Sequence, residues 1–159
     1  IRAYRINGWV YDKLIIENFI GSTSFVLVKR EVFNTCGLFN TTMKSAQDYE
    51  MWLRISKKYK VDFVDIPLVN YYEHEGERIS RNIENKISGL EKLNEINIDY
   101  LSKHPRVMSM RKLKLVPYYN VKFGLKEALK KWFEAVKIFP FQVTAIKYLI
   151  KILIKETNI

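Results

Sequence analysis

Cysteine and histidine are scarce in this sequence, and their scarcity excludes several classes of site. The single cysteine, Cys36, excludes an internal disulfide framework and a metal site built from a cysteine cluster. Two histidines, His74 and His104, are too few for a zinc site made only of His and Cys. This cysteine usage fits a reducing, cytosolic compartment.

Long apolar runs and processing signals are absent as well. No stretch of the sequence approaches the roughly 18 consecutive apolar residues of a membrane-spanning helix. No signal peptide precedes the first predicted element. The sequence starts at Ile1-Arg2-Ala3 and not at Met, so we expect a fragment or a processed chain.

Acidic residues are nearly missing from the last third of the chain. Residues 103–159 contain 13 Lys and Arg but only Glu127, Glu134 and Glu156, whereas residues 1–102 contain 14 residues of each sign. The whole excess of +10 therefore belongs to the last third. A basic block of this kind predicts an anionic partner, either nucleic acid or a membrane surface. The alternative is a solvated face on basic helices.

The hydrophobic pattern predicts a mixed first half and a helical second half, with a boundary near residue 82. The continuous apolar run Phe25-Val26-Leu27-Val28 is typical of a buried strand. Further strands are predicted at 61–65 and 68–72. Helices are predicted at 30–35, 48–59, 83–102, 106–121, 124–138 and 141–156.

Asp48 lies at the start of the most strongly predicted helix, and two interpretations apply to it. Ser45 and Asp48 have the spacing of a capping box, with Ser45 as the N-cap and Asp48 as the third helical residue. Alternatively, Asp48 is a general base that the helix N-terminus presents to a cleft. The two interpretations are compatible, because a cap fixes the rotamer that a base needs.

Residues 18–82 resemble the C-terminal half of the family 2 glycosyltransferases, the inverting, bacterial-type enzymes with a GT-A fold. The motifs that carry the resemblance are, in chain order, Lys29-Arg30-Glu31, Gly37-Leu38-Phe39-Asn40, Gln47-Asp48-Tyr49-Glu50-Met51-Trp52-Leu53-Arg54, Ile66-Pro67-Leu68-Val69-Asn70-Tyr71-Tyr72-Glu73-His74, and Ser80. The resemblance implies an α+β fragment, the C-terminal part of a GT-A α/β/α domain, followed by an all-helical tail. Residues 1–82 are then the acceptor and base half, and residues 83–159 the basic tail.

The resemblance assigns Asp48 as the catalytic base. It implies that Asp48 takes the proton from an acceptor hydroxyl, which attacks the anomeric carbon of a nucleotide-sugar with inversion. The family holds a divalent cation, Mg²⁺ or Mn²⁺, with an Asp-x-Asp motif in its N-terminal half. No such motif occurs here, since Asp62 and Asp65 have the wrong spacing. We therefore expect the nucleotide-binding half to lie outside this chain, which alone is expected to be inactive.

The resemblance also implies a set of substrate-binding residues and one candidate metal ligand. The substrate-binding residues are Thr23, Ser24, Gln47, Arg78 and Ser80, and the candidate metal ligand is His74. Gln47 replaces the usual acidic residue before the base, and Glu73 replaces the usual Arg before the His, for which Arg78 or Arg81 is a candidate substitute. The residues alone favour ordinary roles: a strand start with a bulge at 21–24, and a surface or hydrogen-bonding His74.

The tail contains two further patterns. Residues 124–140 match the second half of a tetratricopeptide unit, with small Ala128 and Ala135 beside Trp132, and they predict one helical hairpin with Tyr118 and Tyr119 on the partner helix. Residues 141–155 are apolar except for a stripe of lysines, namely Lys147, Lys151 and Lys155. Such a helix is expected either to pack on the domain or a second copy, or to lie in a membrane interface.

The leading functional hypothesis is sugar transfer in the synthesis of a cell-surface polysaccharide or glycolipid. Its expected partners are a nucleotide-sugar donor and a saccharide or lipid-linked acceptor. The protein is then cytoplasmic or peripheral at the inner face of the plasma membrane, with a homo-oligomer as an alternative use of the tail. The second hypothesis is a non-catalytic basic helical module for an anionic membrane or a protein partner. Nucleic acid is not expected, because the aromatic residues alternate with aliphatic ones as in a core.

Overall fold

The computed structural model of the chain describes residues 5–70, 72 and 82–154. The chain divides into two units, Ile1–Glu77 and Arg78–Ile159, close to the boundary predicted near residue 82. Within the described residues the first unit contains α1 (Tyr11–Leu14), α2 (Arg30–Cys36) and α3 (Gln47–Ser56). The second contains α4 (Ile83–Ile96), α5 (Ile98–Lys103), α6 (Pro105–Leu113), α7 (Val116–Phe123), α8 (Leu125–Ile138) and α9 (Val143–Leu153).

The prediction of an α+β, GT-A-type fragment is wrong for the residues that the structure describes, because they form helices and no strand or sheet. Their only ladder-type pairing is an isolated bridge, in which Gly8 and Val61 exchange two N–H···O bonds of 2.7 and 2.9 Å. The predicted strand at 25–28 begins instead as a short 3₁₀ turn over Thr23–Phe25. Residues 61–65 and 68–70 are irregular and largely exposed.

The error in the strand predictions has a physical cause. An apolar, β-branched run reports how well side chains fit a sheet, but a strand exists only when a second strand accepts its backbone hydrogen bonds. No segment in the described ranges pairs with 25–28, and Leu27 is fully exposed there, with a relative accessibility of 102%. The helices need no such partner, because their backbone bonds close within each segment.

The first unit packs α1 and α2 against α3. The Tyr49 hydroxyl lies in the buried interior and donates to the carbonyl oxygens of Leu14 and Ile15, at 2.6 and 3.2 Å. The buried apolar side chains around it are Val10, Leu14, Ile15, Val32, Met43, Met51, Trp52, Leu53 and Ile55. The predicted end of α2 at Gly37 is confirmed, and this glycine has a φ of 76°, which other residues adopt at a cost.

The start of α3 differs from the predicted capping box. Ala46 precedes the helix in the left-handed region, with a φ of 62°, and no side chain caps the helix. Ser45 therefore lies one residue too early to be the N-cap, and Asp48 is the second helical residue and not the third. A left-handed non-glycine residue carries strain of about 1 kcal/mol, which the surrounding packing has to offset.

The described residues of the second unit are helical, as predicted for the tail. Two of the predicted helices are each divided into two in the structure. The predicted helix at 83–102 is interrupted at buried Asn97, whose side-chain amide donates to the Leu93 carbonyl at 2.9 Å. The predicted helix at 106–121 is interrupted just before Pro117, which lacks a backbone N–H and fits the first turn of α7. The predicted helices at 124–138 and 141–156 correspond to α8 and α9.

The core of the second unit is formed by α7 and α8, with α6 and α9 packed on them. Its fully buried residues include three alanines, Ala128, Ala135 and Ala145, whose small side chains let the helices approach closely. Trp132 bridges α8 to α9, because its indole N–H donates to the Ala145 carbonyl at 2.7 Å. The α7–α8 pair is the hairpin predicted from the tetratricopeptide-like pattern, with a turn at Gly124.

Candidate functional site

Asp48 is half-buried in the first turn of α3. Its Oδ1 atom accepts a hydrogen bond from the Tyr49 backbone N–H at 2.6 Å. Its Oδ2 atom has no hydrogen-bond partner among the described residues. The carboxylate lies in the first turn of α3, at the positive end of the helix dipole. Asp48 is therefore an oriented carboxylate with one oxygen available to a ligand.

The hydroxyl-bearing segment 21–24 is tied to the same helix. Trp52 follows Asp48 by one helical turn, and its indole N–H donates to the Gly21 carbonyl at 2.9 Å. Gly21 has a φ of 86°, and its N–H donates to Asn18 Oδ1 at 3.1 Å. Thr23 and Ser24 follow Gly21 and are exposed. Their hydroxyls are thus presented by a segment that is anchored to the helix carrying Asp48.

Asn18 and Trp52 are positioning residues that the sequence alone did not single out as part of the site. The sequence does carry a signal for Trp52, which lies on the apolar face of the predicted helix. A tryptophan that is buried on such a face requires a hydrogen-bond acceptor for its indole N–H. Phe39 packs against the Trp52 ring in an edge-on arrangement, with 6.2 Å between the ring centroids. The indole is thereby held from two sides. No comparable sequence signal marks Asn18, whose role depends on the turn that follows it.

Gln47, the first residue of α3, was predicted to bind a sugar hydroxyl. In the structure it is half-buried, and its side-chain amide donates to the Met43 carbonyl at 2.7 Å. This bond closes the loop that leads into α3. The side-chain carbonyl oxygen of Gln47 can still accept a hydrogen bond from a ligand hydroxyl.

Arg54 lies in the last turn of α3 and is only partly exposed. Its guanidinium forms a two-point ion pair with the buried Glu50 carboxylate, with N–O distances of 2.7 and 2.8 Å. The same guanidinium donates to the carbonyl oxygens of Cys36, the last residue of α2, and of Leu38, the latter at 2.8 Å. Arg54 thus clamps the end of α2 to the middle of α3. The Glu50–Arg54 pair is structural in this arrangement.

Three predicted site residues, His74, Arg78 and Ser80, lie outside the described residues, as do Glu73 and Arg81. Within the described ranges, no three His, Cys, Asp or Glu side chains come together as a candidate metal site. His104 is the residue that immediately precedes α6. Its ring stacks on Tyr100, with 3.9 Å between the centroids, and Nδ1 lies 2.7 Å from the Tyr100 carbonyl oxygen.

A shallow pocket in the second unit contains charged side chains that pair with one another. Glu134 lies 3.4 Å from Lys131 and 3.7 Å from Lys112. The Tyr119 hydroxyl donates to Glu91 at 2.7 Å. Burial, helped by this hydrogen bond, raises the pKa of Tyr119. These pairings satisfy the pocket's charges internally, and the pocket contains none of the predicted site residues.

None of the helices in the described ranges is both long enough and apolar enough to cross a membrane. Comparison of the chain with protein-family models, curated proteins and solved structures gives no match.

Proposed function

We propose that residues 18–82 carry the acceptor side of a sugar-transfer site, in which Asp48 is the general base. The observation that carries the proposal is the Asp48 carboxylate, with one oxygen fixed by the Tyr49 N–H and the other available. The motif resemblance to family 2 glycosyltransferases supplies the reaction class. The fold supplies no support, because the described residues contain no sheet.

The chemistry requires one base on the acceptor side. Asp48 takes the proton from an acceptor hydroxyl while that oxygen attacks the anomeric carbon of a nucleotide-sugar. The nucleoside diphosphate leaves from the opposite face, so the configuration at the anomeric carbon is inverted. The acceptor is a saccharide or a lipid-linked saccharide. Thr23 and Ser24 are placed to hydrogen-bond sugar hydroxyls, and the Gln47 carbonyl oxygen is available to do the same.

The leaving diphosphate requires positive charge. Among enzymes of this kind a divalent cation, Mg²⁺ or Mn²⁺, offsets that charge. We propose His74 as its ligand in this chain, with Arg78 and Ser80 on the phosphate oxygens. These three residues lie outside the described ranges, so their part of the proposal depends on the motif alone.

The test is an Asp48→Asn substitution in the complete product of the gene. We expect acceptor-dependent release of nucleoside diphosphate from one member of a nucleotide-sugar panel. The substitution removes the base and keeps the size of the side chain, so it should lower kcat by about 10²- to 10⁴-fold. Near-normal turnover of Asp48→Asn would exclude Asp48 from the role of base.

Asp62→Asn is the matched control. Asp62 also accepts a hydrogen bond from the following backbone N–H, Phe63 at 2.9 Å, but it is exposed and belongs to no helix. Its substitution makes the same chemical change to the same type of local contact. We expect kcat of Asp62→Asn to equal that of the unaltered protein, with unchanged circular dichroism for both variants.

A further inference from the structure

The surface of α9 divides into three sectors along its length. At 100° per residue, Ala145 and Ile152 fall on one side, and both are buried against the core of the second unit. On the opposite side, Val143, Ile146 and Ile150 form a continuous exposed stripe. The lysines, Lys147 and Lys151, lie together along one edge of that stripe.

The exposed stripe is strongly apolar and continues beyond both ends of the helix. Phe141, just before α9, is 90% exposed, and Val143 is 70% exposed. The stripe ends at Leu153 and Ile154, which are also exposed. Packing within the unit has therefore covered only one face of α9. Large apolar side chains that remain in water along a whole helix face mark an interaction surface.

The charged side chains beside the stripe are all positive. Lys147 and Lys151 form no ion pair with any residue that the structure describes. No acidic residue occurs between Glu134 and Glu156. In contrast, Glu127 and Glu134 on the neighbouring α8 are paired with lysines. The cations on α9 therefore have no counter-charge on their own helix.

We propose that α9 and Phe141 bind an anionic membrane surface, with the helix lying parallel to it. The apolar stripe then enters the boundary between headgroups and acyl chains, and the lysines reach the anionic headgroups. An anionic membrane supplies both the apolar medium and the negative charge that this surface lacks. A second copy that packs its own α9 on this stripe offers an apolar surface but no counter-charge, because that helix contains no acidic residue.

The test is co-sedimentation of the full chain with vesicles. We expect binding to phosphatidylcholine vesicles that contain phosphatidylglycerol, and at least about 10-fold weaker binding to pure phosphatidylcholine. Raising the ionic strength from about 0.05 M to about 0.5 M should release most of the bound protein, because salt screens the lysine–headgroup attraction. No nucleotide-sugar is present, so the result does not depend on the proposed role of Asp48.

Two double variants separate the apolar and the cationic contributions. Ile146→Asn with Ile150→Asn should abolish binding, because it removes the centre of the exposed stripe without touching the buried face. Lys147→Gln with Lys151→Gln should weaken binding to anionic vesicles by about 10-fold or more and leave the weak binding to neutral vesicles unchanged.

Each double variant has a matched control in the same chain. Leu27→Asn with Val64→Asn changes two apolar residues of the first unit that are more exposed than Ile146 and Ile150. Lys60→Gln with Lys103→Gln removes two exposed lysines elsewhere. Both controls should bind anionic vesicles like the unaltered chain. Circular dichroism should show the same helix content for all four variants.

Three results would overturn the proposal. The first is no binding to anionic vesicles at low salt. The second is equal binding to neutral and anionic vesicles. The third is a dimer by light scattering that becomes a monomer in the Ile146→Asn, Ile150→Asn variant, since this would show that a second copy covers the stripe.

Discussion

Glu50 and Arg54 show how a single pair of residues orders the first unit. The Glu50 carboxylate is only 3% exposed, and the Arg54 guanidinium contacts it at two points. The remaining Arg54 donors reach the backbone at the end of α2. A buried carboxylate is tolerated only when it is paired in this way. The pair therefore holds α3, and with it Asp48, in place.

Arg54→Ala should destabilise the first unit by about 2–3 kcal/mol, because it leaves the Glu50 carboxylate buried without its cation and two carbonyl oxygens without their donor. The measurement is the free energy of unfolding by urea. Replacing both partners, Glu50→Gln with Arg54→Met, should cost less than Arg54→Ala alone. A larger loss in the double variant would contradict the clamp.

At the residue scale, the sequence predicted where a charged residue lies on a helix better than it predicted backbone conformation or side-chain partners. The position of Asp48 at a helix start was predictable, since acidic residues favour that end of a helix. The left-handed Ala46 was not, because alanine carries no signal for that conformation. The inward turn of Arg54 depends on carbonyl groups about 16 to 18 positions earlier in the chain, which local spacing does not reveal.

At the scale of elements, helices were predictable and strands were not. The bounds of α8 agree with the predicted 124–138 within one residue at the start, because Gly124 and Pro140 punctuate a strongly periodic segment. The three predicted strands failed for one shared reason. Pairing is a property of two segments, and residues 25–28 carry no information about whether a partner is present.

A substitution at Ala135 can test how closely the helices of the second unit pack. Its side chain is fully buried, and its carbonyl accepts a 2.6 Å hydrogen bond from the Ser109 hydroxyl of α6. Ala135→Leu should therefore destabilise the unit by about 1–3 kcal/mol, since a larger side chain forces α6 and α8 apart. Thermal unfolding followed by circular dichroism measures the effect.

The control is Lys137→Leu, which introduces the same side chain at an exposed position of the same helix. It should change the free energy of unfolding by less than about 0.5 kcal/mol. Equal effects of the two substitutions would show that α8 is not tightly packed at Ala135.

At the scale of the whole molecule, the second unit has a buried cluster of its own. The buried cluster of the second unit is formed entirely by side chains of α6 to α9, among them Leu113, Val116 and Ile152. The excess positive charge also belongs to this unit. The sequence predicts a boundary near residue 82 because the hydrophobic period changes there to a continuous helical pattern, and the division in the structure lies between residues 77 and 78.

Residues 78–159 should therefore fold when they are produced alone. We expect a helical circular dichroism spectrum and a cooperative thermal transition, because the buried cluster of this unit is made only of its own side chains. Leu113→Asp in the same segment should abolish the transition, since it places a charge in the core. A gradual, non-cooperative loss of signal in the unaltered segment would contradict an independent core.

The short connections between helices have a consequence for the order of folding. Gly124 alone separates α7 from α8, and Asn97 alone separates α4 from α5, so neighbouring helices meet after closing very small loops. The first unit depends instead on ties such as that of Tyr49 to Leu14, which spans 35 positions. Local contacts form faster than distant ones. From these connections we expect the second unit, which lies later in the sequence, to close before the first, so that folding order is the reverse of chain order.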